Sequence, residues 1–251
     1  MTTSTEVTLG VLALQGAFRE HIEYFQKVIE SHPQEYSKFT FTFIEVKTED
    51  QLRRCDSLVI PGGESTSISL IAERTNLLQP LMDYVKSEKP IWGTCAGLIF
   101  LSKQLKNGRV GQKLLGGLNV EVTRNAFGRQ LDSFESPLDF SSFIPDCHAF
   151  PTVFIRAPVI TELLHDGPTE SKSESDSIFY SQNNYNNKAP IEVLHSLKNH
   201  GKIDHELIVA VRQGHILGTS FHPELATDDY RFHKWYIDEF VVKSKNKSTD
   251  I

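Results

Sequence analysis

The sequence predicts an α/β fold, a three-layer sandwich in which a mostly parallel central sheet is flanked by helices. Three observations carry this. Apolar runs of strand length alternate with helix-period segments over the first 105 residues. Most of these runs are apolar without interruption, as strands covered on both faces must be. Nearly every one is cut off by glycine, proline or a capping residue before a helix begins.

The elements follow in chain order. "VTLGVLALQG" (7–16) reads as a strand ending at Gly16, and "REHIEYFQKVIE" (19–30) as a helix with Ile22, Phe25 and Ile29 at helical spacing. "FTFTFIEV" (39–46) alternates as a strand does, and Thr48 with Gln51 has capping-box spacing at the head of the short helix "EDQLRRC". "SLVIPGG" (57–63) is the next strand, broken by Pro61 and two glycines. "SISLIAERTNLLQPLMDYVKSE" (67–88) is helical with an interruption expected at Pro80. "PIWGT" (90–94) gives a fourth strand and "AGLIFLSKQL" (96–105) a helix.

Beyond residue 105 the pattern changes to strands separated by short turns: "LNVEVTRN", "TVFIRAP", "IEVLHSL", "HELIVAVRQG" and "HILGTSFHP". A meander continuing the sheet or its edge is expected there. "DDYRFHKWYIDEFVVKSK" (228–245) is an amphipathic helix with Phe232, Trp235, Tyr236 and Phe240 near one face.

With 39% hydrophobic and 23% charged content, 251 residues can bury a sizeable core and form one large domain or two small ones; because the later strands read as continuing the sheet, one domain over residues 1–251 is expected. Residues 1–6 read as a polar leader and 244–251 as a disordered tail. Residues 166–190, rich in Ser, Asn, Asp and Glu, read as a flexible surface insertion anchored by Phe179 and Tyr180.

A net charge of −6 without a clustered basic face argues against nucleic acid or an anionic membrane as partner. No apolar run reaches the roughly 20 residues of a membrane helix. A cytoplasmic location is therefore expected. The three cysteines, Cys55, Cys95 and Cys147, form no Cys-x-x-Cys pair, which disfavours a disulfide framework or zinc ribbon and leaves room for one functional thiol.

Sheets of this class gather ligands at the carboxyl ends of their strands. Cys95 sits there, in "GTCAG" (93–97), which has the form of a nucleophile elbow with Gly93 and Gly97 as the small flanking residues. The free N–H groups of the following helix favour a thiolate, and the Ala96 N–H faces any oxyanion formed at that thiol. On these five residues alone a second reading stands, that Cys95 is a small buried residue before a helix.

An amide substrate requires a base for the thiol and an orienting group for the base. "TSFHPE" supplies His222 at a strand end and Glu224 two residues on, with Pro223 favouring an extended neighbour. A metal centre is the rival for such a grouping, but no further ligand motif accompanies it, so no metal is assigned. "IPGGEST" (60–66) places Gly62 and Gly63 directly after a strand, where backbone N–H groups can complete an oxyanion hole with Ala96. The same stretch reads equally as a strand-to-helix turn capped by Ser65 or Thr66.

"GTCAG" and "FHPE" resemble the class I glutamine amidotransferases. "GVLALQGAFREH", "PGGESTS", "RNAFGRQ" and "FIRAP" narrow the resemblance to the glutaminase subunit of pyridoxal 5'-phosphate synthase, with the fuller stretches similar to fungal members. The resemblance spans roughly residues 7 to 240 and keeps the family's motif order. It implies that Cys95 is the nucleophile, His222 the base and then acid, and Glu224 the group that orients His222. It implies that L-glutamine is held by Gly63, Glu64 and Ser65, by Arg124, and by Ile155 and Arg156. The arginines suit the substrate carboxylate, and Glu64 or a backbone carbonyl suits the ammonium.

Gln15 is expected to arrange the oxyanion loop when a partner docks, and Arg129 to serve loop structure or the interface. The resemblance further implies a separate (β/α)8-barrel synthase in a hetero-oligomer, ammonia passed through protein, and no cofactor in this chain. Two other functions use the same residues: a non-catalytic or regulatory partner of the synthase, and a glutaminase subunit serving another pathway.

Overall fold

A computed structural model of the chain describes residues 4–124, 133–164, 178–198 and 206–249. The first half alternates strand and helix: β1 (Thr5–Leu12), α1 (Phe18–Ser31), β2 (Phe39–Val46), α2 (Glu49–Arg53), β3 (Ser57–Ile60), α3 (Ser65–Arg74), α4 (Leu78–Lys86), β4 (Ile91–Thr94) and α5 (Ala96–Leu101). Strands then dominate, as β5 (Ser102–Lys106), β6 (Leu118–Thr123), β7 (Ser133–Leu138), β8 (Phe150–Ile155), β9 (Val159–Leu163), β10 (Ile178–Tyr180), β11 (Ile191–Leu197), β12 (Leu207–Gln213) and β13 (Ile216–Thr219). The chain closes with α6 (Arg231–Tyr236), a π-helical stretch (Ile237–Val242) and α7 (Lys243–Thr249).

One sheet runs in the order β10-β5-β6-β9-β12-β13-β4-β3-β1-β2, with β11 also paired to β12. From β13 to β2 every neighbouring pair is parallel, as is β5 with β6. β7 and β8 form a separate antiparallel ribbon.

Apolar layers cover both faces of the sheet. Val59, Trp92 and Leu217 belong to one core, while Leu58, Ile60, Ile91 and Ile216 belong to the other. This explains why these strands read as unbroken apolar runs: alternate side chains enter different cores, and neither face meets water. The helix after residue 230 docks as its pattern predicted, with Phe232, Trp235, Tyr236 and Phe240 all buried. Tyr236 also hydrogen-bonds Ser57 at 2.8 Å. The capping box forms: Gln51 N–H donates to Thr48 Oγ1 at 3.3 Å and Thr48 N–H to Gln51 Oε1 at 3.1 Å.

Several expectations are corrected. The break in 67–88 falls at Thr75–Leu77, where Asn76 has φ 59°, and Pro80 lies in the first turn of α4, where no N–H is required. The helix after Cys95 is only six residues long and gives way to β5 at Ser102. Residues 96–105 are all buried, so no periodicity separates helix from strand.

The late strands do not simply extend an edge. β12 and β13 are antiparallel neighbours, yet β13 lies parallel to β4 inside the sheet, as its four fully buried residues require. The tail is helical to Thr249 rather than disordered from 244, and Lys245 reaches Asp56 at 2.8 Å. Residues 250–251 lie outside the described residues, as do residues 1–3 of the leader.

Within the expected insertion, residues 166–177 lie outside the described residues, while 178–190 pack against the sheet. β10 pairs with β5, and Phe179 covers Gly108. Asn183 and Asn187 are buried, donating to the carbonyls of Leu115 at 2.8 Å and of Gly117 and Gln213 at 3.2 Å. Asparagine amides here pair the carbonyls of neighbouring irregular chain, a role that a tally of apolar residues does not weigh. Among the described residues no helix is long and apolar enough to cross a membrane.

Candidate active site

Cys95 occupies a sharp turn between β4 and α5, with φ 47° and ψ −100°. A non-glycine residue held there carries about 1–3 kcal/mol of strain. Two neighbours hold it: Cys95 N–H donates to the Thr219 carbonyl at 2.8 Å, and its own carbonyl accepts from Ile99 N–H at 3.2 Å. The flanking glycines are obligatory. A Cβ on Gly93 would lie 2.5 Å from the Gly97 carbonyl, and one on Gly97 would lie 2.0 Å from the Ile60 oxygen.

His222 follows β13, and its N–H donates to the Val153 carbonyl of β8 at 2.8 Å. Its Nδ1 lies 2.7 Å from Glu224 Oε1. Both side chains are buried, Glu224 completely. Burial pushes the His222 imidazole down, but the hydrogen bonds and charges of Cys95 and Glu224 outweigh it and raise its pKa from 6.5 to about 10. For Glu224 burial works upward, yet His21 and His222 prevail and lower its pKa. The pair therefore favours imidazolium beside carboxylate.

A cavity of about 410 Å³ opens at this edge of the sheet, within the range of small-molecule sites. Cys95, Ala96 and His222 line it together with Gly62, Gly63, Glu64, Ser65, Arg124, Ile155 and Arg156. The Ile155 carbonyl oxygen is 3.9 Å from Cys95 Sγ. Arg156 is the second strained wall residue, with φ 45°. Glu224 lies behind His222 rather than in the wall.

The glycine loop is shaped by its neighbours. A Cβ on Gly62 would lie 2.2 Å from His222 Cε1, so the missing side chain lets the imidazole lie against the loop. Gly63 has φ 153°, and a Cβ there would meet the Gln15 amide at 2.4 Å. Gln15 clasps the next residue twice: its Nε2 donates to the Glu64 carbonyl at 3.1 Å, and its Oε1 accepts from Glu64 N–H at 3.2 Å.

The N-cap of α3 is Glu64, not Ser65 or Thr66. Its carboxylate accepts from Thr66 N–H at 3.2 Å and from Ser67 N–H and Oγ at 2.8 Å, and Arg124 Nη2 lies 3.3 Å away. With the side chain so engaged, a carbonyl is the better acceptor for a substrate ammonium. Burial works against the Glu64 carboxylate, but the hydrogen bonds from Ser67 and Thr66 outweigh it and lower its pKa from 4.5 to about 2. A lowered carboxylate stabilises the fold above its unfolded pKa, and that contribution is lost as pH falls from about 4.5 through 2. Glu64→Gln is expected to cost about 1 kcal/mol at neutral pH through the lost cap. It should also flatten acid unfolding across that window, as urea titrations at stepped pH would show.

A family model described as the SNO glutamine amidotransferase family matches residues 11–242. The chain belongs to this family. It is 48% identical over 235 residues to pyridoxal 5'-phosphate synthase subunit SNO1 of Saccharomyces cerevisiae, covering 93% of this chain and 92% of that one. It is 39% identical over 235 residues to pyridoxal 5'-phosphate synthase subunit PdxT of Pyrococcus furiosus, covering 94% and 100%. A crystal structure described as a glutamine amidotransferase superposes with a TM-score of 0.65 at 35% identity, over 92% of this chain and 97% of that one.

Three contributors to this family member's site are given no role by the sequence motifs. Arg109 lines the cavity from the loop after β5. Gln112 is buried and bridges two predicted residues, donating to Ser65 Oγ at 3.0 Å and accepting from Arg124 Nη1 at 3.3 Å. His21 lies 3.4 Å from Glu224 Oε2. His21 closes the stretch "GVLALQGAFREH", and helical spacing places it on a face with Phe25 and Val28. Arg129, with most of "RNAFGRQ", lies outside the described residues.

Proposed function

We propose that the chain hydrolyses L-glutamine to L-glutamate and ammonia at Cys95 and passes the ammonia to a separate pyridoxal 5'-phosphate synthase subunit, a (β/α)8 barrel in a hetero-oligomer. The observation that carries this is the His222 Nδ1–Glu224 Oε1 contact of 2.7 Å behind an elbow cysteine that shares one cavity with His222. The names of the relatives support the pathway, and a cytoplasmic location is part of this reading.

In the first step the Cys95 sulfur, its proton already held on the His222 imidazolium, attacks the side-chain amide carbon of glutamine. The carbonyl oxygen becomes an oxyanion, met by backbone N–H groups of Gly62, Gly63 and Ala96. His222 returns the proton to the amide nitrogen, the C–N bond breaks, and ammonia leaves a glutamyl thioester on Cys95. Water, deprotonated by His222, then attacks the thioester; the C–S bond breaks, the thiol is restored and glutamate departs. Glu224 holds His222 and stabilises the imidazolium at both stages. Arg124 and Arg156 take the substrate carboxylate, with the Gly63–Ser65 segment beside it. Thiol, imidazole and carboxylate supply the nucleophile, proton carrier and orienting group, so the chemistry calls for no cofactor.

Gln15 is the coupling residue in this reading, because it grips the loop that must present its donors when the synthase docks. Glutamate release by the purified chain, alone and with its synthase, tests the function. A large rise on mixing is expected, and no release in either condition would overturn it.

Glu224→Gln is expected to lower turnover by roughly 10³- to 10⁴-fold while leaving KM little changed, as loss of an orienting carboxylate does elsewhere. The His222 pKa should fall, since a source of its upward shift is gone. A ¹⁵N-histidine NMR titration reads that directly.

A further inference from the structure

Glu224 is completely buried, yet only one of its oxygens is used by His222. Among the described residues Oε2 has no formed hydrogen bond. What faces it is His21 Nε2 at 3.4 Å. An ionised carboxylate taken out of water needs donors on both oxygens, and hydrogen bonds at catalytic sites without substrate are often long and tighten on binding.

His21 is itself part of a buried chain. It projects from α1, and its Nδ1 lies 2.9 Å from Nε2 of His233 on α6. Both rings are fully buried, and Trp92 and Phe25 pack around them. His21 Nε2 also lies 3.4 Å from Thr94 Oγ1, on the residue before Cys95. Burial drives both imidazoles from 6.5 to about 3, with Glu224 only partly opposing it at His21. Each ring is therefore neutral near pH 7 and carries one proton.

The contacts then favour one pair of tautomers. One nitrogen of the 2.9 Å pair must donate and the other accept. If His21 donated from Nδ1, its bare Nε2 could take the Thr94 hydroxyl proton, but Glu224 Oε2 would still face a lone pair and have no donor. If His233 Nε2–H donates instead, His21 carries its proton on Nε2 and offers it to Glu224. The group left without a partner is then His233 Nδ1, which has no hydrogen bond among the described residues. A bare acceptor there is the lesser penalty, because the alternative leaves Glu224 Oε2 facing a lone pair.

We propose that His21 is a positioning residue for glutamine hydrolysis: its Nε2–H holds the outer oxygen of Glu224, with His233 fixing the tautomer, so that the inner oxygen stays turned to His222. A neutral donor suits this task. It stabilises the carboxylate without adding a second cation that would compete with His222. The titratable groups acting on His21 are Glu224, His233 and His222. The inference rests on the proposed hydrolysis, and its test separates the two.

The test compares wild type, His21→Leu, His21→Gln and His233→Phe, each with the synthase and each checked for folding by thermal denaturation. His21→Leu is expected to lower kcat roughly 10- to 100-fold, the range seen for other partners one shell out, with KM within about twofold. His21→Gln, which keeps a neutral N–H donor, should recover most of the loss. Two-bond ¹H–¹⁵N NMR on the wild-type chain should place the His21 proton on Nε2, and its shift should move in Glu224→Gln.

Unchanged kcat in a folded His21→Leu variant, a loss confined to KM, or a proton on Nδ1 would overturn the proposal. If His21→Leu fails to fold, His21→Gln and the NMR tautomer decide. Wild type that releases no glutamate overturns the hydrolysis, while the NMR arm still tests the His21–Glu224 contact.

Discussion

Cys95→Ala is expected to reduce glutamate release with the synthase by about 10⁶-fold, the scale reached when a nucleophile acting with a base is removed. Alanine cannot form the thioester, and the remaining groups offer only binding and oxyanion stabilisation. The fold should tolerate the change. Cys95 is small, its φ of 47° is imposed by β13 and α5 rather than by its sulfur, and alanine meets the same backbone geometry. Thermal denaturation should therefore stay within a few degrees of wild type, and synthase binding should persist. Turnover at the wild-type rate in this variant would remove Cys95 from the chemistry.

Gly97→Ala is expected to have the largest effect on the fold. The added Cβ would sit 2.0 Å from the Ile60 oxygen and 2.9 Å from its carbonyl carbon, both in the backbone of a buried central strand. Neither can yield without moving β3 away from α5. A loss of more than about 4 kcal/mol, or failure to accumulate as soluble protein, follows from overpacking of this kind. Gly111→Ala is the contrast: its Cβ meets nothing within 4 Å, and only the φ of 85° stands against it, at about 1 kcal/mol. Urea unfolding of both variants checks the pair, and equal stabilities would show that close approach of α5 to β3 does not hold the elbow.

The sequence was most legible where one physical demand acted alone. β2 and β11 match their expected segments residue for residue, and the capping box at Thr48 forms as its spacing required. The strand-end loops carrying Gly62, Cys95 and His222 do meet in one cavity, because a parallel sheet places all its carboxyl ends on one edge. Legibility failed where two demands overlapped. Residues 96–105 are buried throughout, so helix and strand looked alike. Residues 183–187 are polar, yet their amides are consumed by the backbone of neighbouring loops. Glu64 was read for its charge, whereas its position before α3 commits it to capping. His21 and Gln112 act through other side chains 203 and 47 residues away in sequence, so neither the stretch that ends at His21 nor the loop around Gln112 marks its role.

Every step proposed for this chain depends on attack by Cys95 on glutamine in this cavity. The most direct measurement treats the chain and its synthase with a glutamine-analogue electrophile and maps the adduct by peptide mass spectrometry. One adduct is expected, on Cys95, suppressed by excess glutamine and absent from Cys55 and Cys147, which do not line the cavity and whose thiols burial pushes up to about 12 and about 11. An adduct on either of those cysteines instead, or labelling of Cys95 that glutamine does not suppress, would contradict it.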